Sequence, residues 1–293
     1  MLIDTHGHLN FNAYKDDFEE TLERALSSDV SLIMPGSQYS TSKRAVEFAE
    51  KLNNPRVWAA VGLHPIHLEE RKIDKFEADG HVEYETHAEK FDRKKYEELA
   101  RSKKVVAVGE VGLDYWWRPK TKEEGLAYAQ KQQKTFCAQA DMALDLNLPL
   151  IIHCRVAMKD MLNILREHPH TEARDVPGVI HSYTGSPKQL KKFLSLGYYI
   201  GVNGLVFTLG LVQDAVKAAP LDRILLETDA PYLSPPLPRR SLGEGGPNKT
   251  ERNEPANVKY VAQKIAELKD IPFKEVEAQT TENAKKVFGI DFK

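Results

Sequence analysis

Eight short runs of β-branched or apolar residues, each followed by a polar stretch of helical periodicity, limit what this chain can become. The runs begin near Leu2, Val30, Val57, Val105, Leu148, Gly178, Tyr198 and Arg223. Between them, helical patterns cover Phe18 to Leu26, Lys43 to Leu52, Tyr96 to Arg101, Glu123 to Leu146, Met158 to Arg166, Lys188 to Leu196 and Leu211 to Ala219. Two more, Val258 to Leu268 and Phe273 to Phe288, follow the last run. A strand that is apolar throughout is buried on both faces, as parallel strands under crossover helices are. Eight β–α repeats in 293 residues match a closed (β/α)8 TIM barrel better than an open sheet, whose strand count is usually about five or six. No linker rich in Gly, Ser or Pro interrupts the pattern, so residues 1–293 read as one barrel domain.

Composition narrows the function classes. With 41% hydrophobic residues the chain can bury a sizeable core, and 41 Lys+Arg against 43 Asp+Glu leave a net charge of -2. That balance excludes a polycation that coats nucleic acid nonspecifically. Cys137 and Cys154 are too few for a disulfide framework and suit a reducing compartment. The N-terminus lacks a basic segment followed by an apolar one, and no apolar run reaches the ~18 residues of a membrane span. The expectation is a cytoplasmic protein with no membrane partner.

The chemistry-bearing residues fall where the strands end. His6 and His8 follow the first strand at i and i+2, a spacing that points two imidazoles to one face of an extended chain. Glu110 ends the fourth strand, His153 the fifth, His181 the sixth and Asp229 the eighth. Each alone could be a hydrogen-bonded core residue. In a barrel, however, the C-terminal strand ends converge on one mouth, so the six become a cluster. Four imidazoles and two carboxylates exceed the needs of one tetrahedral ion and match two ions sharing a bridge. The predicted assignment is His6, His8, Glu110 and Asp229 on one ion, and Glu110, His153 and His181 on the other. Such ions activate water, with Asp229 placed to orient it and manage its proton. Glu110 and Asp229 are thus the predicted catalytic residues.

Taken together, the segments Asp4-Thr5-His6-Gly7-His8-Leu9, Gly62-Leu63-His64-Pro65, Gly109-Glu110-Val111-Gly112-Leu113-Asp114-Tyr115, Ile152-His153-Cys154-Arg155, His181-Ser182-Tyr183-Thr184-Gly185, Glu227-Thr228-Asp229-Ala230-Pro231-Tyr232-Leu233, Arg252-Asn253-Glu254-Pro255 and Thr281-Glu282-Asn283-Ala284 make the chain resemble the TatD-type metal-dependent deoxyribonucleases of the amidohydrolase superfamily. The resemblance runs from the first strand to the last helix. It implies phosphodiester hydrolysis, commonly 3′-to-5′ exonuclease action on single-stranded DNA or RNA, and its metal-binding positions match the six residues above. Several amidohydrolases bridge their metals with a carboxylated lysine on strand four, whereas this chain has Glu110 and no Lys between Val105 and Tyr115. It departs from the family pattern after Pro65, where Ile66-His67-Leu68 leads into about 25 highly charged residues that border the mouth.

Two long connections, Pro65 to about Arg93 and Tyr232 to about Asn257, follow strand C-termini on the face that carries catalysis in this architecture. His64 is expected to donate to a scissile phosphate, or to serve a conformational role beside Pro65. Tyr115-Trp116-Trp117-Arg118 offers a stacking platform with a cation, or a hydrophobic plug over the barrel end. Arg155 could reach a phosphate oxygen or form a salt bridge within the barrel. Arg239, Arg240, Lys249 and Arg252 make the second long loop locally basic, either to track a nucleic acid strand or simply to be solvated. Asp114 would orient a ligand or cap the next helix. His67, His81, His87, His168 and His170 read as solvent-facing. The expected cofactors are two divalent ions, Zn, Mn or Mg, and the expected partner is a single-stranded nucleic acid 3′ end. A binuclear amidohydrolase or esterase acting on a small carbonyl compound or an aminoacylated RNA end is the alternative. A binding protein without activity is disfavoured by the intact ligand set.

Overall fold

The computed structural model describes residues 1–73, 84–117, 119–236 and 252–291. In chain order the strands are β1 (Leu2–Asp4), β2 (Val30–Pro35), β3 (Val57–Val61), β4 (Arg71–Ile73), β5 (Tyr84–Thr86), β6 (Val105–Asp114), β7 (Leu150–Arg155), β8 (Gly178–Ile180), β9 (Tyr199–Val202) and β10 (Ile224–Leu226). Eight of them form one parallel sheet in the order β1-β2-β3-β6-β7-β8-β9-β10. The ring is drawn together where Thr5 N–H donates to Leu226 O at 2.9 Å and where Gly7 and Ala230 bridge in parallel. The result is a nearly closed (β/α)8 barrel with helices between the strands, as the periodicity predicts.

The apolar residues separate into two layers by strand parity. One cluster takes Ile3, Ile33, Trp58, Ala60, Ala107, Ile151, Val179, Tyr199 and Leu225, at least one from every barrel strand, and packs them against Ala284, Val287, Phe288 and Ile290 from the C-terminal segment. These residues fill the barrel interior. The alternate residues, such as Leu32, Val108, Ile152, Ile180 and Leu226, belong to the larger cluster that also takes in the surrounding helices. Because parity repeats every two residues, the interior positions Ile151, Val179 and Leu225 aim His153, His181 and Glu227 into the mouth. On β6 the register against β7 shifts between Val108 and Val111. Such an irregularity re-aims a side chain, here Glu110, into the same space.

Helix boundaries follow the predicted spans within a few residues. The main exception is Tyr39–Leu52, which starts four residues early. Its first turn has no apolar period, but the Thr41 hydroxyl accepts from Ser37 N–H and Gln38 N–H, both at 2.9 Å. The short helix Pro169–Ala173 was not expected. The first long connection contains an antiparallel β4–β5 hairpin instead of bare loop. Thr86, buried, donates to Glu69 O at 2.7 Å, and Lys131 Nζ donates to Leu68 O at 2.7 Å, so the hairpin base is tied to the barrel. His81, Arg118, Arg239, Arg240 and Lys249 lie outside the described residues. Among the described residues, no helix is long and apolar enough to cross a membrane.

Candidate metal centre

The six predicted ligands meet at the C-terminal mouth. His6 Nε2 lies 3.0 Å from His8 Nε2, 3.3 Å from Glu110 Oε2 and 3.8 Å from Asp229 Oδ1. His8 Nε2 lies 3.7 Å from Glu110 Oε2 and 3.5 Å from Asp229 Oδ1. On the other side, Glu110 Oε1 is 2.9 Å from His153 Nδ1 and 3.8 Å from His181 Nε2. His181 Nε2 is also 3.8 Å from Asp229 Oδ2. Ligands about 2.0–2.2 Å from a tetrahedral ion sit roughly 3.3–3.6 Å from one another, and the separations among His6, His8 and Glu110 fit a divalent cation. On the other side the compact donor set is His64, Glu110 and His153, while His181 groups with His6 and Glu227 and not with the predicted trio of Glu110, His153 and His181.

Hydrogen bonds on the far side of His8, His153 and His181 set which nitrogen faces the cluster, while His6 Nδ1 is buried without a partner among the described residues. His8 Nδ1 lies 3.1 Å from Pro35 O and His181 Nδ1 lies 3.0 Å from Glu227 Oε2, leaving the Nε2 lone pair of each to point inward. His153 is turned the other way. Its Nε2 is 2.9 Å from Asp114 Oδ2, so Nδ1 is the inward atom. His64 differs again, because its Nδ1 accepts from Ile66 N–H at 3.2 Å. The proton therefore sits on Nε2, 3.3 Å from Glu110 Oε1. In this arrangement His64 donates to Glu110, where the sequence expectation was a scissile phosphate.

The backbone supports this arrangement. Asp229 N–H donates to His6 O at 2.8 Å and His8 N–H donates to Ala230 O at 2.7 Å, interlocking the ends of β1 and β10. Asp229 adopts a left-handed φ of 57°, which Asp tolerates better than most residues. Asp4 Oδ1 accepts from Thr228 N–H at 2.9 Å and His6 N–H at 3.2 Å, and its Oδ2 accepts from the Thr228 hydroxyl at 2.6 Å. Glu227 Oε2 also accepts from Ser182 N–H at 3.0 Å. A glycine is required beside it, since a Cβ on Gly201 would stand 2.0 Å from Glu227 Oε1.

Burial and charge act against each other here. Burial pushes the Glu110 carboxyl up, but the imidazoles of His64 and His6 and the hydrogen bond from His153 outweigh it and hold the group well below its usual range. Burial lowers His153 and His181, yet Asp114 and Glu110 lift the first to about 9, and Glu227 with Asp229 lifts the second to about 10. Burial, helped by His181, takes His6 down to about 4. Burial raises Asp4 to about 7 against its hydrogen bonds from Thr228. The carboxylates Glu110 and Asp229, which stay charged, face two imidazoles, His153 and His181, that hold protons, a pairing in which a bound cation can take the protons' place.

The residues expected to touch substrate are placed less uniformly. Trp116 is exposed, with the Arg155 guanidinium 4.4 Å from its ring centre. Tyr115 instead packs on the core, its hydroxyl 2.9 Å from Gln133 Nε2 and 3.3 Å from Asp160 Oδ2. Trp117 sets its ring against Tyr128 at 5.0 Å, with Arg71 of the hairpin 5.0 Å from its ring centre. Arg252 is turned away to Asp17, donating from its guanidinium to both carboxylate oxygens, and stacks on Tyr14 at 4.2 Å. Asp114 accepts from His153 and from Trp116 N–H, so it orients a ring and does not cap a helix. Three histidines expected in solvent are buried: His67, His168 and His170. His170 sits in the unpredicted helix with Nε2 2.9 Å from Leu148 O, and its N–H donates to His168 Nδ1 at 3.2 Å. His87 is exposed as expected. Sequence reasoning assigned no role to Asp4 or Glu227, although Glu227 shares the parity of Asp229.

A parallel barrel with a histidine–carboxylate cluster at its strand C-termini has the fold and donor set of a divalent-metal enzyme, and sequence similarity places it among metal-dependent hydrolases. The chain matches the family model described as TatD related DNase over residues 3–289. It is 37% identical over 294 residues to the uncharacterized metal-dependent hydrolase YabD of Bacillus subtilis, covering 99% of this chain and 100% of that protein. It is 31% identical over 295 residues to the 3′-5′ ssDNA/RNA exonuclease TatD of Klebsiella pneumoniae, covering 99% and 98% respectively. The solved structure of the TatD homologue YjjV from Escherichia coli matches with a TM-score of 0.77 at 28% identity, covering 99% of this chain and 98% of that one. The protein belongs to the TatD-related DNase family.

Proposed function

We propose that this protein is a divalent-metal-dependent phosphodiesterase that removes nucleotides from the 3′ ends of single-stranded DNA or RNA. The observation that carries the reading is the approach of His6 Nε2 and His8 Nε2 to each other, to Glu110 Oε2 and to Asp229 Oδ1, at separations of 3.0 to 3.8 Å. Similarity along nearly the whole chain to a relative named as a 3′-5′ exonuclease supports the substrate class. His6, His8, Glu110 and Asp229 would hold one Zn, Mn or Mg ion, and Glu110, His153 and His181 a second. Bound divalent cations supply Lewis acidity toward the phosphoryl group and make water nucleophilic at neutral pH.

The chain's own residues do the rest. Glu110 presents one oxygen to each half of the site. Asp229, held low by the surrounding imidazoles against its burial, accepts the proton of the water that attacks phosphorus. That proton goes on to the 3′-oxygen that leaves as the P–O3′ bond breaks. His64, with its proton on Nε2, can transfer its hydrogen bond from Glu110 to a phosphate oxygen of the substrate. Asp114 and Glu227 keep His153 and His181 in their working orientation.

The test uses metal-stripped protein resupplied in turn with Mg²⁺, Mn²⁺ and Zn²⁺. Three substrates are offered: 3′-labelled single-stranded DNA, a bis-aryl phosphodiester and an N-acyl amino acid. The expected result is metal-dependent release of the 3′ label. Turnover of the amide alone would overturn the proposal.

A further inference from the structure

Among the described residues, five large apolar side chains are exposed, and two of them, Trp116 and Val156, follow adjacent strands. β6 and β7 pair with Asp114 opposite Arg155, and Tyr115 N–H donates to Arg155 O at 2.9 Å. Trp116 and Val156 therefore follow neighbouring strand ends, with Val156 level with Tyr115. Trp116 is 48% and Val156 53% exposed, so neither is explained by packing. Val156 also has a φ of 59°, a left-handed conformation that strains a β-branched residue and that tends to persist at functional sites. The Arg155 guanidinium lies over the Trp116 ring at 4.4 Å, placing a cation against an aromatic plane.

The position of this pair relative to the metal centre is fixed by one carboxylate. Asp114 Oδ1 accepts from Trp116 N–H at 2.9 Å, while Asp114 Oδ2 is 2.9 Å from His153 Nε2. A flat apolar surface with an adjoining positive charge, registered to a divalent-ion site, matches a nucleobase joined to its phosphate. Apart from the terminal base, a base stacked within a duplex has no free face, so the base on the inner side of the scissile phosphate must be unpaired to lie there.

We propose that Trp116, Arg155 and Val156 form a ledge that stacks the unpaired base flanking the scissile phosphate, and that this ledge gives the enzyme its preference for single strands. The proposal rests on the phosphodiesterase reading above and adds the element that recognises the base.

Steady-state kinetics on metal-loaded wild type, Trp116→Ala and Trp116→Phe tests it with three substrates: a single-stranded oligonucleotide, the same oligonucleotide with abasic 3′-terminal positions, and methyl p-nitrophenyl phosphate. Stacking energies for one base convert to an expected rise in KM of about 5- to 150-fold for Trp116→Ala on the intact oligonucleotide, with kcat little changed. Trp116→Phe recovers most of the loss, and the abasic and small substrates do not distinguish the variants. An equal loss on all three substrates would overturn the ledge by showing that Trp116 only supports the metal centre. So would unchanged KM on an oligonucleotide that the wild type cleaves. Wild-type protein that cleaves none of the phosphodiesters would remove the parent reading, and the ledge with it.

Discussion

The floor of the mouth and its rim are built on different terms. On the floor, His6, His8, Glu110 and His181 are buried, and most of the imidazoles have a partner on the far side that decides which nitrogen faces inward. On the rim, Trp116 and Val156 are exposed, and the cations Arg155 and Arg252 rest on aromatic rings. Burial makes the floor exacting, because an uncompensated charge there costs several kcal/mol. The rim is free to vary, since each of its contacts contributes on the order of 1 kcal/mol. The contrast separates the residues that make the chemistry possible from those that choose the substrate.

The sharpest way to break this contrast is to neutralise the floor. Glu110→Gln and Asp229→Asn each keep the size of the side chain while removing a charge that several histidines face. Each is expected to lower kcat/KM by roughly 10³-fold or more, with circular dichroism unchanged and metal content reduced for Glu110→Gln. Activity within about tenfold of wild type in either variant would mean that the catalytic centre lies elsewhere.

One row further out the effect should shrink. Glu227→Gln removes the charge that lifts His181 and leaves an amide where Oε2 accepts from both His181 and Ser182 N–H. Supporting groups of this kind are worth about 10- to 100-fold in metal affinity. Titration of the stripped variant with Zn²⁺ or Mn²⁺ should show that loss, and higher metal concentration should restore most of kcat. A variant that binds metal like wild type would place Glu227 outside the site's support.

The same division explains what could be read from residues alone. The floor is legible because a strand's two-residue period and the convergence of barrel strands are local rules, and His153 and His181 need nothing more. Glu110 was read as a ligand from its place at the strand end alone, and the register shift between Val108 and Val111 that aims it is a detail no residue type announces. Asp4 was hidden because its function is to join β1 to Thr228, 224 residues away. Tyr115 and Arg252 read as substrate contacts because aromatic and basic residues in a mouth loop suggest stacking and phosphate binding. What decides otherwise is Asp160 and Gln133 for the tyrosine, and Asp17 with Tyr14 for the arginine. His168 and His170 were misplaced together with the helix Pro169–Ala173, whose Pro-His-Thr opening reads as a loop.

Arg252 gives the mildest test, and it probes the rim from the structural side. Its guanidinium donates to Asp17 at 2.9 Å and lies 4.2 Å from the Tyr14 ring centre, and Tyr14 in turn donates to Asn253 O at 2.5 Å. Asn253 Nδ2 donates to Thr228 O at 3.0 Å and Tyr232 O at 2.8 Å, while Glu254 pairs with Arg24 at 2.8 Å. The Arg252-Asn253-Glu254 segment is therefore a clasp that returns the chain to the barrel beside Asp229. Because the Arg252 side chain is 33% exposed, solvent screening limits the pair, and Arg252→Ala should cost only about 1 kcal/mol of stability. Thermal denaturation should register that cost, while KM for an oligonucleotide and its salt dependence stay near the wild-type values. A salt slope that falls by about one unit would instead restore Arg252 to the phosphate-binding role first read from its position in a basic loop.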